Sequence, residues 1–259
     1  MRRNLSMTVL GSSSSIPRSK RACSSYLIRS PDATLICDLG PGSFANSLDF
    51  VAHSTLNAVV ITHMHADHFL DLVLLRNALK YASSRVEGKL PVYLPGRGED
   101  LLRAIGCAVG ADSSKDFFED VFEIRPYGAR SNLEVRDLRL TFAQTVHFIE
   151  AYAVRVQRND AAITYSADTA PCADVVKLAR ASDVFLCEST LGPYQSERGL
   201  RGHSSAREAA SMAREAGVEK LVLTHYGSEW SAEHLGEEAR RSFAGECVVA
   251  DDFLQVAIE

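Results

Sequence analysis

Thr62-His63-Met64-His65-Ala66-Asp67-His68 constrains this chain more than any other stretch, because it crowds three imidazoles and a carboxylate into six residues. It follows directly on Leu56-Asn57-Ala58-Val59-Val60-Ile61. That run is short, β-branched and closed by polar residues, so it reads as a buried strand. Residues 69–79 beyond the cluster are rich in helix formers and hold no Gly or Pro, which predicts a helix. The cluster therefore sits in a strand-to-helix turn. Neutral imidazole and carboxylate suit zinc and similar borderline divalent cations. Alternate sides of a tight turn face two adjacent positions, His63 and His65 toward one, Asp67 and His68 toward the other. A single His there would read as an ordinary polar turn; three with an Asp at this spacing read as metal ligands.

Groups of the same chemistry recur at the ends of other expected strands. His147 follows a strand over residues 138–142, and Asp168 ends the run Ala162-Ile163-Thr164-Tyr165-Ser166-Ala167-Asp168, where capping a helix near Ala173 is the plainer alternative. Glu188 ends Val184-Phe185-Leu186-Cys187-Glu188, and His225 ends a strand over residues 220–224. His203 comes just before a helix over residues 206–216 that Ser204 or Ser205 caps. Asp38, past a strand over residues 34–37, is placed either to hold the outer ring nitrogen of a ligand histidine or to cap a helix. Residues 11–18, mostly Ser, read as a plain connector or as a loop whose N–H groups and hydroxyls line an anion site. His53 and His234 stand apart and read as surface histidines.

Further strands are expected at residues 7–10, 25–28, 91–94, 122–124, 133–135, 152–156 and 247–250. Helices are expected at 99–109 and 232–242, the latter as a solvated outer layer, and a loop at 110–115. No repeat and no low-complexity linker interrupts the 259 residues, which points to a single domain over residues 1–259 with a sizeable core. The formal charge of −5 argues against a broad nucleic-acid footprint. No apolar run has membrane-spanning length, and residues 1–6 lead straight into a strand without a signal-peptide core. The six cysteines form no C-x-x-C pair and fit free thiols in a reducing compartment. Together these features predict a cytoplasmic protein with no membrane partner.

The H-x-H-x-D-H pattern resembles the signature of the metallo-β-lactamase superfamily. The resemblance implies an α/β fold, the four-layer αββα metallo-β-lactamase sandwich, with a metal site at one edge of its sheets. Strand ends gather at such an edge, so groups distant in sequence meet there. One metal position is then expected to hold His63, His65 and His147, the other Asp67, His68 and His225, with Asp168 bridging. The implied cofactors are two divalent metal ions, zinc first, with manganese or iron(II) as the other fits. A water between them, its pKa lowered toward neutrality, attacks a phosphorus or carbonyl centre. His203 is surplus to the ligand count and free to act as general acid. Glu188 orients it or lines the pocket, and Asp67 is also placed to steer the proton of the nucleophile.

A narrower likeness runs along nearly the whole chain. Leu10-Gly11-Ser12-Ser13-Ser14-Ser15-Ile16-Pro17, Ser166-Ala167-Asp168-Thr169, Cys187-Glu188-Ser189-Thr190, Gly202-His203-Ser204-Ser205 and Leu223-Thr224-His225-Tyr226 are similar to the ribonuclease Z branch. Carried over position by position, that likeness implies the same seven ligands and an acid role for His203. Two features depart from it. Only about twenty residues separate His147 from Asp168, room for a hairpin but not for the basic arm that grips tRNA. The loop that senses the tRNA end is not recognisable in residues 82–89. The chain is thus more similar to armless relatives, some of them cyclic-nucleotide phosphodiesterases. The expected activity is metal-dependent phosphodiester hydrolysis, on a small nucleotide such as cyclic AMP or GMP first and RNA second, as in tRNA 3′-processing. A lactone or thioester hydrolase is the next alternative, and a redox or metal-sensing protein the non-hydrolytic one. The resemblance also implies a homodimer.

Overall fold

The computed structural model describes residues 3–81, 88–110, 117–192, 197 and 199–259. Two seven-stranded mixed sheets lie face to face, with helices outside each, giving the expected αββα sandwich. In the first sheet β1 (Leu5–Gly11), β2 (Ser25–Arg29) and β3 (Thr34–Cys37) form an antiparallel meander. To this β4 (Ala58–Val60), β5 (Leu90–Pro95) and β6 (Phe122–Tyr127) add in parallel. The second sheet repeats the plan. Its antiparallel part is β7 (Asn132–Val135), β8 (Leu138–Gln144), β9 (Tyr152–Arg158) and β10 (Ala161–Tyr165). Its parallel part is β11 (Val184–Glu188), β12 (Lys220–Thr224) and β13 (Glu246–Val249). Finally β14 (Gln255–Ile258) returns to the first sheet and pairs antiparallel with β1, Leu5 opposite Ile258. Pattern alone does not predict β14: four residues are too few, and its pairing with β1 defines it.

Parallel neighbours need crossovers, and these supply the outer layers. On the first sheet they are α1 (Ser43–Ser47), α2 (Ala66–Phe69), α3 (Leu72–Tyr81) and α4 (Gly98–Val109); on the second, α5 (Ala173–Ala179), α6 (Ala206–Ala216) and α7 (Ala232–Arg240). Strands buried on both faces read as continuous apolar runs, and the two-residue period then sorts their side chains. Ile163 and Tyr165 of β10 and Val184 and Leu186 of β11 face the space between the sheets, with Val9, Tyr26, Ile28 and Leu35 opposite. Phe185 and Cys187 of β11 face α5 and α6. Leu27, Ile36 and Val59 face Leu72, Leu75 and Leu102 of the helices outside the first sheet. The outer helix α7 is solvated on one side only: Leu235 and Ala239 are buried in the outer core.

The helix predicted over residues 69–79 is instead two helices, beginning at Ala66. The N–H of Asp71 donates to the carbonyl of Leu39 (3.1 Å) and the N–H of Leu39 to the carbonyl of His68 (2.7 Å), which diverts the helical ladder. Asp67 and His68 therefore ride on α2, a single turn braced against the segment after β3. A Cβ on Gly40 would come within 2.0 Å of the Asp67 carbonyl oxygen, so this approach requires glycine. From residue 111 onward the loop predicted over 110–115 lies outside the described residues, as do residues 82–87 of the stretch 82–89. No helix among the described residues is long and apolar enough to cross a membrane.

Candidate metal centre

The sequence-predicted groups arrive at one edge on separate elements. His63 and His65 follow β4, Asp67 and His68 lie on α2, and His147, Asp168, Glu188 and His225 come at or just beyond the ends of β8, β10, β11 and β12. Three chain exits here hold a non-glycine residue in the left-handed region: Asp38 after β3 (φ 59°), Ala167 after β10 (φ 52°) and His225 after β12 (φ 51°). Such backbone costs of order 1 kcal/mol or more per residue and persists where surrounding contacts impose it.

The ring nitrogens converge. His65 Nδ1 lies 3.1 Å from His63 Nε2 and 3.0 Å from His147 Nε2. His68 Nε2 lies 3.3 Å from His225 Nε2, which is 3.3 Å from Asp67 Oδ2. Asp168 spans both groups: its Oδ2 is 3.6 Å from His63 Nε2, and its Oδ1 is 3.5 Å from His68 Nε2. That Oδ1 is buried and, among the described residues, has no hydrogen-bond partner. His63, His65, His147 and Asp168 form one candidate ligand set and Asp67, His68 and His225 a second, and His203 lies within reach of Asp168 and His225 as an overlapping third group.

The outer nitrogens settle which face of each ring carries a lone pair. His147 Nδ1 is 2.9 Å from the carbonyl of Gly202, which only accepts, so it is protonated and Nε2 is not. His68 Nδ1 donates to the Asp38 carboxylate (2.7 Å). Thr62 Oγ1 gives its one proton to Asp38 Oδ2 and thus accepts from His63 Nδ1. Thr190 Oγ1 gives its proton to the His225 carbonyl and accepts from His225 Nδ1 (2.8 Å). In their neutral forms His63, His147 and His225 thereby point unprotonated Nε2 atoms inward, where they cannot hydrogen-bond one another, while His68 keeps a proton between Asp38 and Asp168 until a cation displaces it. A cation satisfies all of them. Tetrahedral zinc, with Zn–N bonds of about 2.0–2.1 Å, sets its ligand atoms about 3.3 Å apart, which these spacings match.

Electrostatics agree. Burial, together with the neighbouring His68, pushes His63 well below the ordinary histidine value, and burial chiefly lowers His65 and His147. Burial works to raise Asp168, but the charges of His225 and His68 prevail and hold it well below the carboxylate range. Asp67 is likewise held down, against burial, by His225 and His68. His68 differs: burial would lower it, yet Asp168 and Asp38 on either side hold it well above the histidine value. A cation must compete there with a proton.

His203 sits beside this cluster. Its Nδ1 is 2.9 Å from Glu188 Oε1, and Glu188 is fully buried, accepting also from the N–H groups of Thr169 (2.9 Å) and Thr190 (3.0 Å). Burial would lower His203, but Glu188, then Asp168 and Glu197, raise it to about 9. Glu197, which the sequence reading does not single out, accepts from the N–H groups of Gly202 and His203. Phe148 packs against the rings of His147 and His203, and a Cβ on Gly202 would strike it at 2.5 Å. An aromatic directly after a ligand is too common a pattern to have marked it.

Asp38 holds an outer ring nitrogen and caps no helix. The serine loop spends its donors inside the chain: Ser12 N–H and Oγ on Asp252, and Ser15 N–H on Asp67 Oδ2 (2.8 Å). The anions it binds are thus the protein's own carboxylates. His53 and His234 lie half-buried, outside both candidate ligand sets.

Residues 34–226 match the family model described as a β-lactamase superfamily domain. An uncharacterized protein of Mycobacterium tuberculosis is 32% identical over 96% of this chain and 92% of its own length. A ribonuclease Z of Methanothermobacter thermautotrophicus is 27% identical over 98% of this chain and 97% of its own. Among solved structures, the metallo-β-lactamase fold protein YhfI from Bacillus subtilis superposes with a TM-score of 0.86 at 24% identity, covering 97% of this chain and 99% of that one. Human tRNase Z, short form, superposes with a TM-score of 0.75 at 20% identity, covering 98% and 99%.

Proposed function

This chain belongs to the metallo-β-lactamase superfamily and is a metallo-hydrolase of its ribonuclease Z-like branch, and on that premise we propose that it is a dinuclear phosphodiesterase acting first on small nucleotides such as cyclic AMP or GMP. The observation that carries this reading is His203, an imidazole surplus to the seven assigned ligands, whose Nδ1 is engaged by the buried carboxylate of Glu188 beside those ligands. Hydrolysis of an alkyl phosphodiester needs such a group, because its alkoxide leaves far more easily once protonated. A lactone or thioester asks less of an acid.

When bound, two divalent cations, zinc by the donor set with manganese or iron(II) as alternatives, supply Lewis acidity and acidify a water. His63, His65 and His147 would hold one and Asp67, His68 and His225 the other, with Asp168 placed between the two sets. The water oxygen, its proton released to solvent, bonds to phosphorus as the ester P–O bond opposite it breaks. The leaving oxygen takes the proton from His203 Nε2, while Glu188 keeps the ring in place through Nδ1–H. With its pKa depressed, Asp67 is a weak base, so it orients the water rather than storing its proton. Ser15 N–H keeps Asp67 in position for that.

The ribonuclease Z relative favours RNA as the second substrate. Against it, the stretch between His147 and Asp168 is occupied by β9 and β10 joined through Asn159 and Asp160, with no arm. A panel of cyclic nucleotides, precursor tRNA, a lactone and a thioester, each with zinc-loaded protein, tests the order. Turnover of the cyclic nucleotides well above the rest is expected; equal or faster cleavage of precursor tRNA reverses it.

A further inference from the structure

Next to the metal centre opens a cleft of about 570 Å³, inside the range of roughly 300–1,000 Å³ that small-ligand sites occupy. Met64 and His65 are among its lining residues, so it adjoins the candidate ligand set. Its walls are mainly apolar: Pro95, Leu101, Ala104 and Ile149 line it, and Leu101 and Ile149 leave 38% and 40% of their surface open. Glu150 also lines it and is held in a fixed pose. Its Oε1 accepts from the Tyr152 hydroxyl, and Oε2 lies so close over Gly96 that a Cβ there would be 2.4 Å away. Among the described residues Glu150 has no ion pair and no further hydrogen bond. A solvent-exposed carboxylate oriented by Tyr152 thus lines a largely apolar slot beside the candidate metal ligands.

Resting on the phosphodiesterase reading above, we propose that this cleft is the base subsite of the substrate and that Glu150 makes it select guanine. Arg97 sets one cation against the two acids Asp100 and Glu150 in its lining, so the cleft carries no anion-selective charge and the phosphate end is left for the metals. The apolar walls suit the faces of a planar base. At its edge, guanine offers two adjacent donors, N1–H and the N2 amino group, to the two lone-pair directions of a carboxylate. Adenine sets an acceptor, N1, beside its amino group and meets the carboxylate with one donor and one repulsion.

The test is a ratio, so that partial loss of folded protein cancels. With zinc-loaded wild type, kcat/KM for cyclic GMP is expected to exceed that for cyclic AMP by about tenfold or more, mainly through KM. Glu150→Gln, whose amide meets adenine with one donor and one acceptor, is expected to abolish or invert the ratio. Ala104→Trp, which fills the slot, is expected to raise KM for both nucleotides. Independently of turnover, calorimetry on metal-free protein should show GMP binding more tightly than AMP, with Glu150→Gln erasing the difference. A wild-type ratio within twofold of one, or a ratio unchanged in Glu150→Gln, overturns the base assignment. Guanine-selective binding with no metal-dependent hydrolysis of any phosphodiester, bis-p-nitrophenyl phosphate included, overturns the phosphodiesterase reading and leaves the subsite standing.

Discussion

A histidine presents a bare nitrogen to a cation only when something else holds the proton on its other nitrogen. The ligand histidines could be read from the chain because their spacing is unusual; the groups that orient them could not. Thr62 and Thr190 are ordinary threonines, and the Gly202 carbonyl has no signature in any sequence. Asp38 was legible only as one of two alternatives, and its bond to His68 decides between them. Asp38→Asn keeps the shape, and Asn tolerates the left-handed backbone there, but it loses the charge that fixes His68. Chelator competition is expected to show affinity at one metal position falling about 10–100-fold, as for other outer partners of ligand histidines. The acid assignment has its own signature. His203→Ala should lower kcat on a cyclic nucleotide by about 10²–10⁴ and act much less on bis-p-nitrophenyl phosphate, whose leaving group needs little protonation. An equal loss on both substrates would point to a damaged site rather than a missing acid.

Whole elements set how accurately those residues meet. The α2 turn carries Asp67 and His68, and Gly40 lets the segment after β3 approach its backbone. Gly40→Ala is expected to displace α2, costing about 1–3 kcal/mol of stability and lowering bound metal per chain by elemental analysis. The break between α2 and α3 was not legible, since residues 69–79 have good helix propensity throughout; contacts with Leu39 override it. By contrast α6 was readable to the residue, because its start is chemical. Ser205 and Glu208 form a reciprocal capping box, and Arg201 adds an ion pair to Glu208. Ser205→Ala should cost about 1 kcal/mol by denaturant unfolding. Burial works to raise Glu208, but its bonds from Arg201 and Ser205 prevail and lower it. A carboxylate lowered on folding contributes stability above its unfolded pKa and loses it as pH falls through the folded value. The difference in midpoint between wild type and Glu208→Gln should therefore shrink in acid; a gap that widened there would contradict the box.

At the scale of the molecule, the two sheets share one apolar interior but deliver different ligands to its rim. His63, His65, Asp67 and His68 come from the first sheet and its helix, His147, Asp168 and His225 from the second. The sandwich was legible because alternating and continuous apolar runs announce most strands. Its strand order was legible only through the family resemblance, since no local pattern says that β14 should cross back to β1. Protein contacts at the rim already bridge the sheets: Tyr26 packs on Tyr165 at 4.6 Å between ring centres, and the Tyr165 hydroxyl donates to Asp38 across the interface (3.0 Å). Each proposed cation takes ligands from both halves, so it acts as a further cross-link that the unfolded chain cannot assemble. Free metal at about a hundred times its dissociation constant then adds about 2.7 kcal/mol per site. For a chain of this length that is a rise in melting temperature of roughly 5–10 °C for each site filled. Thermal unfolding with zinc and with a chelator measures it. Asp168→Ala, which removes the carboxylate between the two sets, should leave a much smaller shift, together with fewer than two metals per chain. A full shift in that variant would mean that the halves are joined without Asp168, and the bridging assignment would fall.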